Sequence, residues 1–198
     1  IGFLTCRIRG DDAGLAGALE DACFRLCDVM TYYTTELIAP GLATAVDRPR
    51  ADAVIRRCLS GLDMGRVFED PKIDRAKARR FHGEASRHYL DSGAHVTILE
   101  DDGRDVGFAI GIGNEAVSRQ TGRRYGHLWL IAVDPELRGR GLGRRLFDAF
   151  LREFAAVCDV LEIGTQTDNV AANRVYRGSG CRELGRVLTF HRWAEARR

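Results

Sequence analysis

The chain has 198 residues, of which 45% are hydrophobic and 29% are charged, a composition typical of a globular protein with a buried core. Thirty Lys and Arg residues against 28 Asp and Glu residues leave a formal net charge of +2, which excludes a general electrostatic footprint for nucleic acid. No apolar run approaches the ~20 residues of a membrane span. We therefore expect a cytoplasmic protein that binds neither nucleic acid nor membrane.

Cysteine usage predicts a protein without disulfides and without a metal site. The six cysteines form no CxxC pair, and none has a histidine partner at the spacing of a zinc site. All of them lie in apolar segments, which is typical of reduced thiols buried in a core. These residues are Cys6, Cys23, Cys27, Cys58, Cys158 and Cys181.

The first part of the chain predicts a strand, a helix and a strand, followed by a linker. The strands cover Phe3–Ile8 and Phe24–Thr35, where β-branched and aromatic residues are frequent. The helix covers Asp11–Ala22 and begins with an acidic cap. Two prolines indicate a linker over Ala39–Arg50.

A weak internal echo points to a two-lobed sheet. Cys, Leu, Val and Thr recur at matching positions of Ala22–Thr31 and Gly180–Thr189, although strands also resemble one another by chance. We divide the chain into an N-terminal β-α-β lobe over residues 1–48 and a main domain over residues 49–198. We interpret this internal similarity as a sign that the lobe is a partial copy of the main fold.

The rest of the chain predicts a mixed α/β order. Two helices are followed by two strands that the hairpin turn Asp101-Asp102-Gly103 joins. A further strand leads into a long amphipathic helix from Leu142, and a strand, a helix and a strand end the chain. The ranges are Ala51–Leu62, Asp74–Leu90 and Val170–Arg177 for helices, and His95–Leu99, Val106–Ile112, Arg123–Val133, Leu161–Thr165 and Glu183–Trp193 for strands.

Three glycines lie where a buried strand turns into this long helix. Gly139, Gly141 and Gly143 expose main-chain N–H groups at the point where a helix has unpaired donors and its positive dipole end. That geometry binds phosphate, although a structural turn without a ligand is the alternative. A Rossmann loop is excluded because Arg144 replaces its third glycine, and the Walker Gly-Lys-Ser/Thr is absent.

A third phosphate-loop pattern fits in full. Arg138-Gly-Arg-Gly141-Leu-Gly143 matches R/Q-x-x-G-x-G/A, the acetyl-CoA loop of the GNAT acyltransferases, and Ile131–Gly143 resembles that family's central strand and loop. Asn169–Gly180 is similar to the family's N-x-x-A-x-x-x-Y…G-F segment, with Cys181 in place of Phe. Together the motifs cover about residues 95–193.

The resemblance implies an α/β GNAT fold whose mixed central sheet is splayed at the coenzyme A site. The internal similarity adds the possibility that the N-terminal lobe is a degenerate GNAT-like half. The resemblance implies acetyl-CoA as the acyl donor, with the pantetheine arm paired to the strand like an added strand. The loop would hold the pyrophosphate, and a main-chain N–H near the strand end would stabilise the oxyanion. The implied cofactor-binding residues are Ile131, Ala132, Val133, Arg138, Gly139, Arg140, Gly141, Leu142, Gly143, Arg144, Asn169, Ala172 and Asn173. For Asn169, a helix N-cap is the alternative.

Two side chains are candidate catalytic residues. Tyr176 matches the family's tyrosine beside the thioester sulfur, which implies a hydrogen bond to the leaving thiolate, and a core tyrosine is the alternative. We predict that His127 alternates with Trp129, Ile131 and Val133 on one face of the strand. With a reference pKa of about 6.5, it is the candidate general base. A structural histidine, with a water chain or a carboxylate as the base, is the alternative.

A looser resemblance extends over nearly the whole chain, to the dTDP-fucosamine acetyltransferase branch. It rests on Thr165-Gln166 before Asn169, on the region of Leu26 and Asp28, and on Phe68–Pro71 before a long helix. It implies N-acetylation of the 4-amine of a nucleotide-linked deoxysugar by direct attack in a ternary complex.

The acceptor is expected between the lobes. Arg66, Phe68 and Asp70 are the predicted substrate-binding residues, because an arginine grips a diphosphate and an aromatic ring stacks on a base, although solvated loop charges are the alternative. The acidic residues Glu69-Asp70, Asp101-Asp102 and Asp105 keep an aminoglycoside open as acceptor, and a small amine or a protein N-terminus is a further alternative. An acyl-CoA sensor without catalysis is a third class, and a homodimer is left open.

Overall fold

The computed structural model describes residues 3–38, 46–63, 65 and 67–194 of the chain. They form one seven-stranded mixed sheet and six α-helices. The strands are β1 (Phe3–Arg9), β2 (Arg25–Glu36), β3 (His95–Asp101), β4 (Arg104–Gly113), β5 (Tyr125–Val133), β6 (Val160–Gln166) and β7 (Arg182–Trp193). The helices are α1 (Ala13–Asp21), α2 (Arg48–Leu59), α3 (Arg75–Asp91), α4 (Glu115–Thr121), α5 (Leu142–Phe154) and α6 (Val170–Gly178).

The strands follow the order β1-β7-β2-β6-β5-β4-β3, and the sheet continues across the predicted boundary between residues 48 and 49. β5 and β6 are parallel, and the other neighbouring pairs are antiparallel. β2 and β7, which contain the two halves of the sequence echo, lie side by side. α5 connects the two parallel strands, as a crossover between parallel neighbours requires.

One face of the sheet, here called the α5 face, is covered by α5 and α6. Leu146, Phe147, Phe150 and Phe154 of α5 are buried at helical spacing against the strands. The strands leave room for these rings, because a Cβ at Gly111 would lie 2.5 Å from Cε2 of Phe154. Other members of this core are Tyr33, Ala109, Leu128, Cys158, Leu161, Ile163, Tyr176 and Cys181.

The opposite face, here called the α2 face, is covered over β3, β4 and β5 by α2, against which α3 packs. The buried side of α2 carries apolar residues three or four positions apart, as in an amphipathic helix. This core consists of Ala51, Val54, Ile55, Cys58 and Leu59 of α2, and Val96, Phe108 and Ile110 of the strands.

Two expectations need correction, and one helix was not predicted. The linker ends earlier than Arg50, because Asp47 caps α2 by accepting from the N–H of Arg50 and a proline fits the first helical turn; residues 39–45 lie outside the described residues. α4 was not predicted, because it has only seven residues between the N-cap Asn114 and the left-handed Gly122. The cysteines are all free, but Cys23 is exposed.

Within the ranges that the structure describes, no helix is both long enough and apolar enough to pass through a bilayer.

Candidate active site

The parallel strands β5 and β6 separate partway along their length. They pair only from Tyr125–Leu128 to Val160–Ile163, although both strands continue beyond this point. From there β5 is held on its outer side by β4, and β6 is held by β2. The result is a wedge-shaped gap between two strands whose backbones remain extended, open at their carboxyl ends.

A β-bulge at Trp129 shifts the alternation of the β5 side chains between the two sheet faces. It lies at the closed end of the gap. Ile110 lies opposite Leu130 and Gly111 opposite Leu128, so Trp129 is the extra residue. Trp129 packs on the α2 face, whereas Ile131 and Val133 pack on the α5 face. The predicted alternation, with His127, Trp129, Ile131 and Val133 on one face, is therefore wrong.

The bulge leaves main-chain groups of β5 directed into the gap. The N–H of Asp134 donates to the carbonyl of Val106 at 2.8 Å, so Asp134 faces β4. Because the hydrogen-bonding direction alternates along an antiparallel pair, the main-chain groups of Ala132 also point towards β4. Those of Ile131 and Val133 point into the gap. The main chain at these two positions is therefore placed to pair with an extended ligand.

The glycine-rich loop follows the open end of β5 and leads into α5. Gly139 and Gly141 have φ values of +80° and +76°, a left-handed conformation that favours glycine. Gly141 is the N-cap and offers no side-chain acceptor, and the N–H groups of Leu142 and Gly143 have no acceptor within the described chain. Among the residues that the structure describes, a Cβ at Gly139, Gly141 or Gly143 would meet no atom within 4 Å. The loop is an open concavity of main-chain donors at a helix N-terminus.

The arginines of the loop are exposed and have different partners. Arg138 donates to the carbonyl of Gly61 at 3.0 Å and so ties the loop to the end of α2. Arg144 pairs with Asp148 at 2.9 Å on the first turns of α5, and Arg140 is exposed. The local charge is positive, which favours a diphosphate at this position.

Asp134 fixes the junction between β5 and the loop. Its side chain is 2% exposed and lies 2.9 Å from Nε of Arg57 and 2.8 Å from Nη2 of Arg104. The other carboxylate oxygen accepts from the N–H of Glu136 at 3.1 Å and caps the short 3-10 helix Pro135–Leu137.

Replacement of Asp134 by alanine is expected to lower the free energy of unfolding by about 2–3 kcal/mol, because two guanidinium groups and a cap lose their partner. Calorimetry would show a melting temperature lower by about 5–10 °C. Asp148→Ala is the control, since its exposed pair with Arg144 contributes less than about 1 kcal/mol. Equal shifts in the two variants would contradict the anchoring role.

α6 is held beside the gap by two asparagines. Asn169 caps the helix by accepting from the N–H of Ala172 at 3.1 Å. Asn173 is buried, accepts from the Tyr33 hydroxyl at 2.6 Å and donates to the carbonyls of Gln166, Thr167 and Asn169. The side-chain amide of Asn173 thus holds α6 in place, and a role of Asn173 in cofactor binding stays a prediction.

Tyr176 lies in the α5 core, on the side of the sheet where Ile131 and Val133 pack. Its side chain is 3% exposed, and its ring contacts Phe147 at 5.0 Å and Tyr33 at 5.8 Å between centroids. Burial, with smaller contributions from Cys181 and Tyr33, raises the pKa of the phenol well above its ordinary value. The hydroxyl therefore remains protonated, and it can donate a hydrogen bond.

His127 lies on the opposite face from Tyr176, with Glu162 of β6 as its cross-strand neighbour. Burial lowers the pKa of His127 below its ordinary value, although Glu162 opposes the shift. The Tyr125 hydroxyl donates to Oε2 of Glu162 at 3.2 Å. The sequence analysis missed Glu162, whose place on the α2 face follows from the alternation of β6.

The predicted acceptor residues lie in the segment between α2 and α3. Asp70 is buried and accepts from His191 at 2.8 Å and Trp193 at 2.9 Å. Although burial opposes the shift, these bonds and one from the N–H of Lys72 lower the pKa of Asp70. Phe68 is buried and stacks on His82 at 5.6 Å. Arg66 lies outside the described residues.

A splayed parallel pair above a glycine-lined helix N-terminus is the arrangement that the resemblance to GNAT acyltransferases implies. The model of the acetyltransferase (GNAT) family matches residues 63–181, more than half of the chain. The chain belongs to the acetyltransferase (GNAT) family, and its seven-stranded α/β sheet is the GNAT fold.

The similar proteins support the fold more strongly than they support a particular substrate. A mycothiol acetyltransferase from Sanguibacter keddieii is 28% identical over 145 residues, which are 72% of this chain and 44% of that protein. The chain thus spans less than half the length of this curated relative. A GCN5-related N-acetyltransferase from Sphaerobacter thermophilus has a TM-score of 0.60 at 15% identity, covering 96% of this chain and 59% of that one. One from Kribbella flavida has a TM-score of 0.62 at 13% identity, covering 98% and 69%.

Proposed function

We propose that this protein transfers an acetyl group from acetyl-CoA to the amine of a small molecule by direct attack in a ternary complex. The observation that carries the proposal is the gap between β5 and β6, which opens onto the donor groups at the N-terminus of α5. A ligand with an extended arm and a diphosphate fits both parts at once. Coenzyme A has this shape.

In this proposal the main chain of β5 binds the pantetheine arm, and the loop binds the pyrophosphate. Ile131 and Val133 face the gap and pair with the arm as a neighbouring strand would. A main-chain N–H at this position also stabilises the tetrahedral oxyanion, an interaction that contributes about 3–4 kcal/mol per donor in comparable sites. The thiolate leaves towards the α5 face, where Tyr176 lies.

The attacking amine approaches from the α2 face and must be neutral to react. His127 and Glu162 lie together on that face, at the closed end of the gap. Because its pKa is lowered by burial, His127 is neutral at pH 7 and can accept the proton of the amine, directly or through a water molecule. Glu162 would then stabilise the protonated imidazole.

His127→Gln is expected to lower kcat/KM about 10-fold, because a general base is lost. In the protein with His127, activity should fall on the acid side with a midpoint below pH 6.5, since only the neutral imidazole accepts a proton and its pKa is lowered. The variant should lack this limb in a pH profile of kcat/KM. His88→Gln, at an exposed position of α3, is the control; an unchanged acid limb in His127→Gln would contradict the assignment.

Two acceptor classes follow from the sequence. The nucleotide-linked amino-deoxysugar requires cations for a diphosphate, and the arginine predicted for that role, Arg66, lies outside the described residues. The second class, a cationic small amine such as an aminoglycoside, is favoured by carboxylates on the α2 face, among them Asp28, Glu69 and Asp168. The relative named above is, by its name, an acetyltransferase with a different acceptor from a nucleotide sugar.

The function is tested by binding and by turnover. Acetyl-CoA should raise the melting temperature, and a thiol reagent should detect coenzyme A release when an amine acceptor is added. Stabilisation without release in any amine panel would favour the acyl-CoA sensor, and no stabilisation would remove the proposal. The cytoplasmic location and the homodimer stay predictions.

A further inference from the structure

A thiol, a carboxylate and an imidazole meet beside β2 and β7, outside the proposed acetyl-CoA site. Cys27 of β2, His191 of β7 and Asp70 of the segment between α2 and α3 each place one ligand atom within 4.8 Å of the other two. Oδ2 of Asp70 lies 2.8 Å from Nδ1 of His191 and 3.9 Å from Sγ of Cys27. Thiolate sulfur, imidazole nitrogen and carboxylate oxygen are the atoms that bind zinc in proteins.

The fold, and not the spacing along the chain, brings these three residues together. Asp70 is 43 residues from Cys27 and 121 residues from His191, so the sequence predicted no metal site. The pairing of β2 with β7 shifts its register between Leu26 and Asp28, which makes Cys27 the extra residue of a β-bulge. A bulge redirects a side chain from the plain alternation of a strand. The thiol of Cys27 is thereby directed to the side where His191 and Asp70 lie.

Neighbouring groups hold the carboxylate in its orientation. Nε1 of Trp193 donates to Oδ2 of Asp70 at 2.9 Å, and the N–H of Lys72 donates to Oδ1 at 2.9 Å. Hydrogen bonds of this kind orient the ligating carboxylates of metal sites. A metal ion would replace only the bond between His191 and Asp70, so the other two bonds would still fix the carboxylate.

The three residues are reached through a cavity. Cys27, Asp70 and His191 all line a cavity of about 880 Å³, together with Phe3 and Trp193, whose ring centroids are 4.8 Å apart. Asp70 and His191 are buried, whereas Cys27 is partly exposed. An ion therefore has an entry path, and a coordination position not filled by the protein faces the cavity.

The distances between the ligand atoms suit a four-coordinate zinc ion. With Zn–S bonds of about 2.3 Å and Zn–N or Zn–O bonds of about 2.0–2.2 Å, the ligand atoms of a tetrahedron lie about 3.3–3.6 Å apart. The separations of 2.8 and 3.9 Å lie on either side of this range, so side-chain movements of about 1 Å suffice. Three protein ligands leave the fourth position to water or to another small ligand.

Basic residues in the same cavity influence what occupies that fourth position. Arg25, Lys72 and Arg192 line the cavity, with the ammonium of Lys72 5.9 Å from the ring centroid of Trp193 and the guanidinium of Arg192 6.0 Å from that of Phe24. They repel a free cation, but a thiolate and a carboxylate supply two negative charges and neutralise a bound divalent ion. The basic residues then favour an anion at the fourth position.

We propose that Cys27, Asp70 and His191 bind a zinc ion whose fourth coordination position opens to the cavity. On binding, the thiol of Cys27 releases its proton to solvent, and the proton on Nδ1 of neutral His191 moves to Nε2, so each ligand atom has an electron pair for the metal. The ion ties the segment between α2 and α3 to β2 and β7. The inference goes beyond the proposed acetyl transfer and does not depend on it.

Metal titration of the full chain without an affinity tag tests the site. Calorimetry should show one equivalent of Zn²⁺ bound with a dissociation constant of about 1 µM or lower, and no comparable binding of Mg²⁺, which prefers oxygen ligands. Co²⁺ in place of Zn²⁺ should give a thiolate-to-cobalt charge-transfer band, because sulfur is a ligand. Absence of Zn²⁺ binding, equally tight binding of Mg²⁺, or Co²⁺ binding without this band would overturn the proposal.

Variants assign the ligands. Cys27→Ser should weaken Zn²⁺ binding at least about 10-fold and abolish the cobalt band. His191→Gln should weaken Zn²⁺ binding to a similar extent, and it serves if Cys27→Ser does not fold. Cys23→Ser is the matched control, because Cys23 is an exposed thiol that lines the same cavity without belonging to the cluster. Zn²⁺ binding that is lost equally in Cys23→Ser and Cys27→Ser would contradict the assignment.

Thermal unfolding gives a second readout that needs no turnover. At about 100 times its dissociation constant, Zn²⁺ should raise the melting temperature of the unmodified protein and of Cys23→Ser by about 5–10 °C. Cys27→Ser at the same Zn²⁺ concentration should gain about half of that or less, and an equal gain would contradict the site. Acetyl-CoA binding and coenzyme A release are measured separately, so either proposal can fail while the other stands.

Discussion

Gly141→Ala is expected to weaken acetyl-CoA binding about 100-fold while the protein remains folded. Gly141 has a φ of +76°, which disfavours any residue with a Cβ by about 1–2 kcal/mol, and it is the N-cap of α5. No atom of the described residues lies within 4 Å of the added Cβ, so the methyl group would point into the space assigned to the pyrophosphate. The variant therefore combines a distorted loop with an obstructed donor set. Calorimetric titration with acetyl-CoA measures the change.

Gly103→Ala provides a matched control for this experiment. Gly103 has a φ of +74° in the β3–β4 hairpin turn, and its added Cβ would also meet no atom of the described chain within 4 Å. The backbone strain is therefore similar, but the position is not in the glycine-rich loop. If Gly103→Ala weakened acetyl-CoA binding as much as Gly141→Ala, the loss would reflect general destabilisation, and the loop would lose its proposed role.

Tyr176→Phe is expected to lower kcat about 100-fold and to change the dissociation constant for acetyl-CoA less than about threefold. In the proposed reaction the phenol, which is buried with a raised pKa, would donate a hydrogen bond to the thiolate, and the thiolate forms only as the thioester breaks. A bond made in the transition state changes turnover and not ground-state binding. Steady-state kinetics together with titration of acetyl-CoA separate the two quantities.

Tyr33→Phe makes the same chemical change in the same core. Its hydroxyl donates to Oδ1 of Asn173 at 2.6 Å, so removing it should cost stability, about 1–2 kcal/mol, through the unsatisfied buried amide. We expect a lower melting temperature with a much smaller loss of kcat. If Tyr176→Phe lost stability and activity in the same proportion as Tyr33→Phe, Tyr176 would be a core residue and not part of the reaction.

Local patterns in the sequence predicted the elements that fold on local signals. The helix from Leu142 has buried residues at a 3.6-residue period, and the hairpin at Asp101–Gly103 has residues suited to left-handed turns, with φ values of +51° and +74° at its last two positions. The glycine-rich loop was predicted because its conformation depends on the absence of side chains at fixed spacing. These features need no knowledge of distant partners.

Features that depend on pairing across the chain were not predictable in this way. The bulge at Trp129 is defined by β4, so the alternation of β5 alone assigned Ile131 and Val133 to the wrong face. Asp28 and Thr189, which are far apart in sequence, lie opposite each other because of the register between β2 and β7. Phe68 and Asp70 were predicted to bind the acceptor, but long-range contacts with His82 and His191 bury them.

The short pairing between β5 and β6 also affects the rigidity of the sheet. Among the described residues, four residue pairs form the strand ladder between the half-sheet β1-β7-β2-β6 and the half-sheet β5-β4-β3. A cofactor bound in the gap would link the two half-sheets along the part of β5 and β6 where the strands do not pair. Cofactor binding would thus stiffen the connection between the two half-sheets. The hydrogen-exchange rates of the main-chain amides of Ile131 and Val133 would measure this effect.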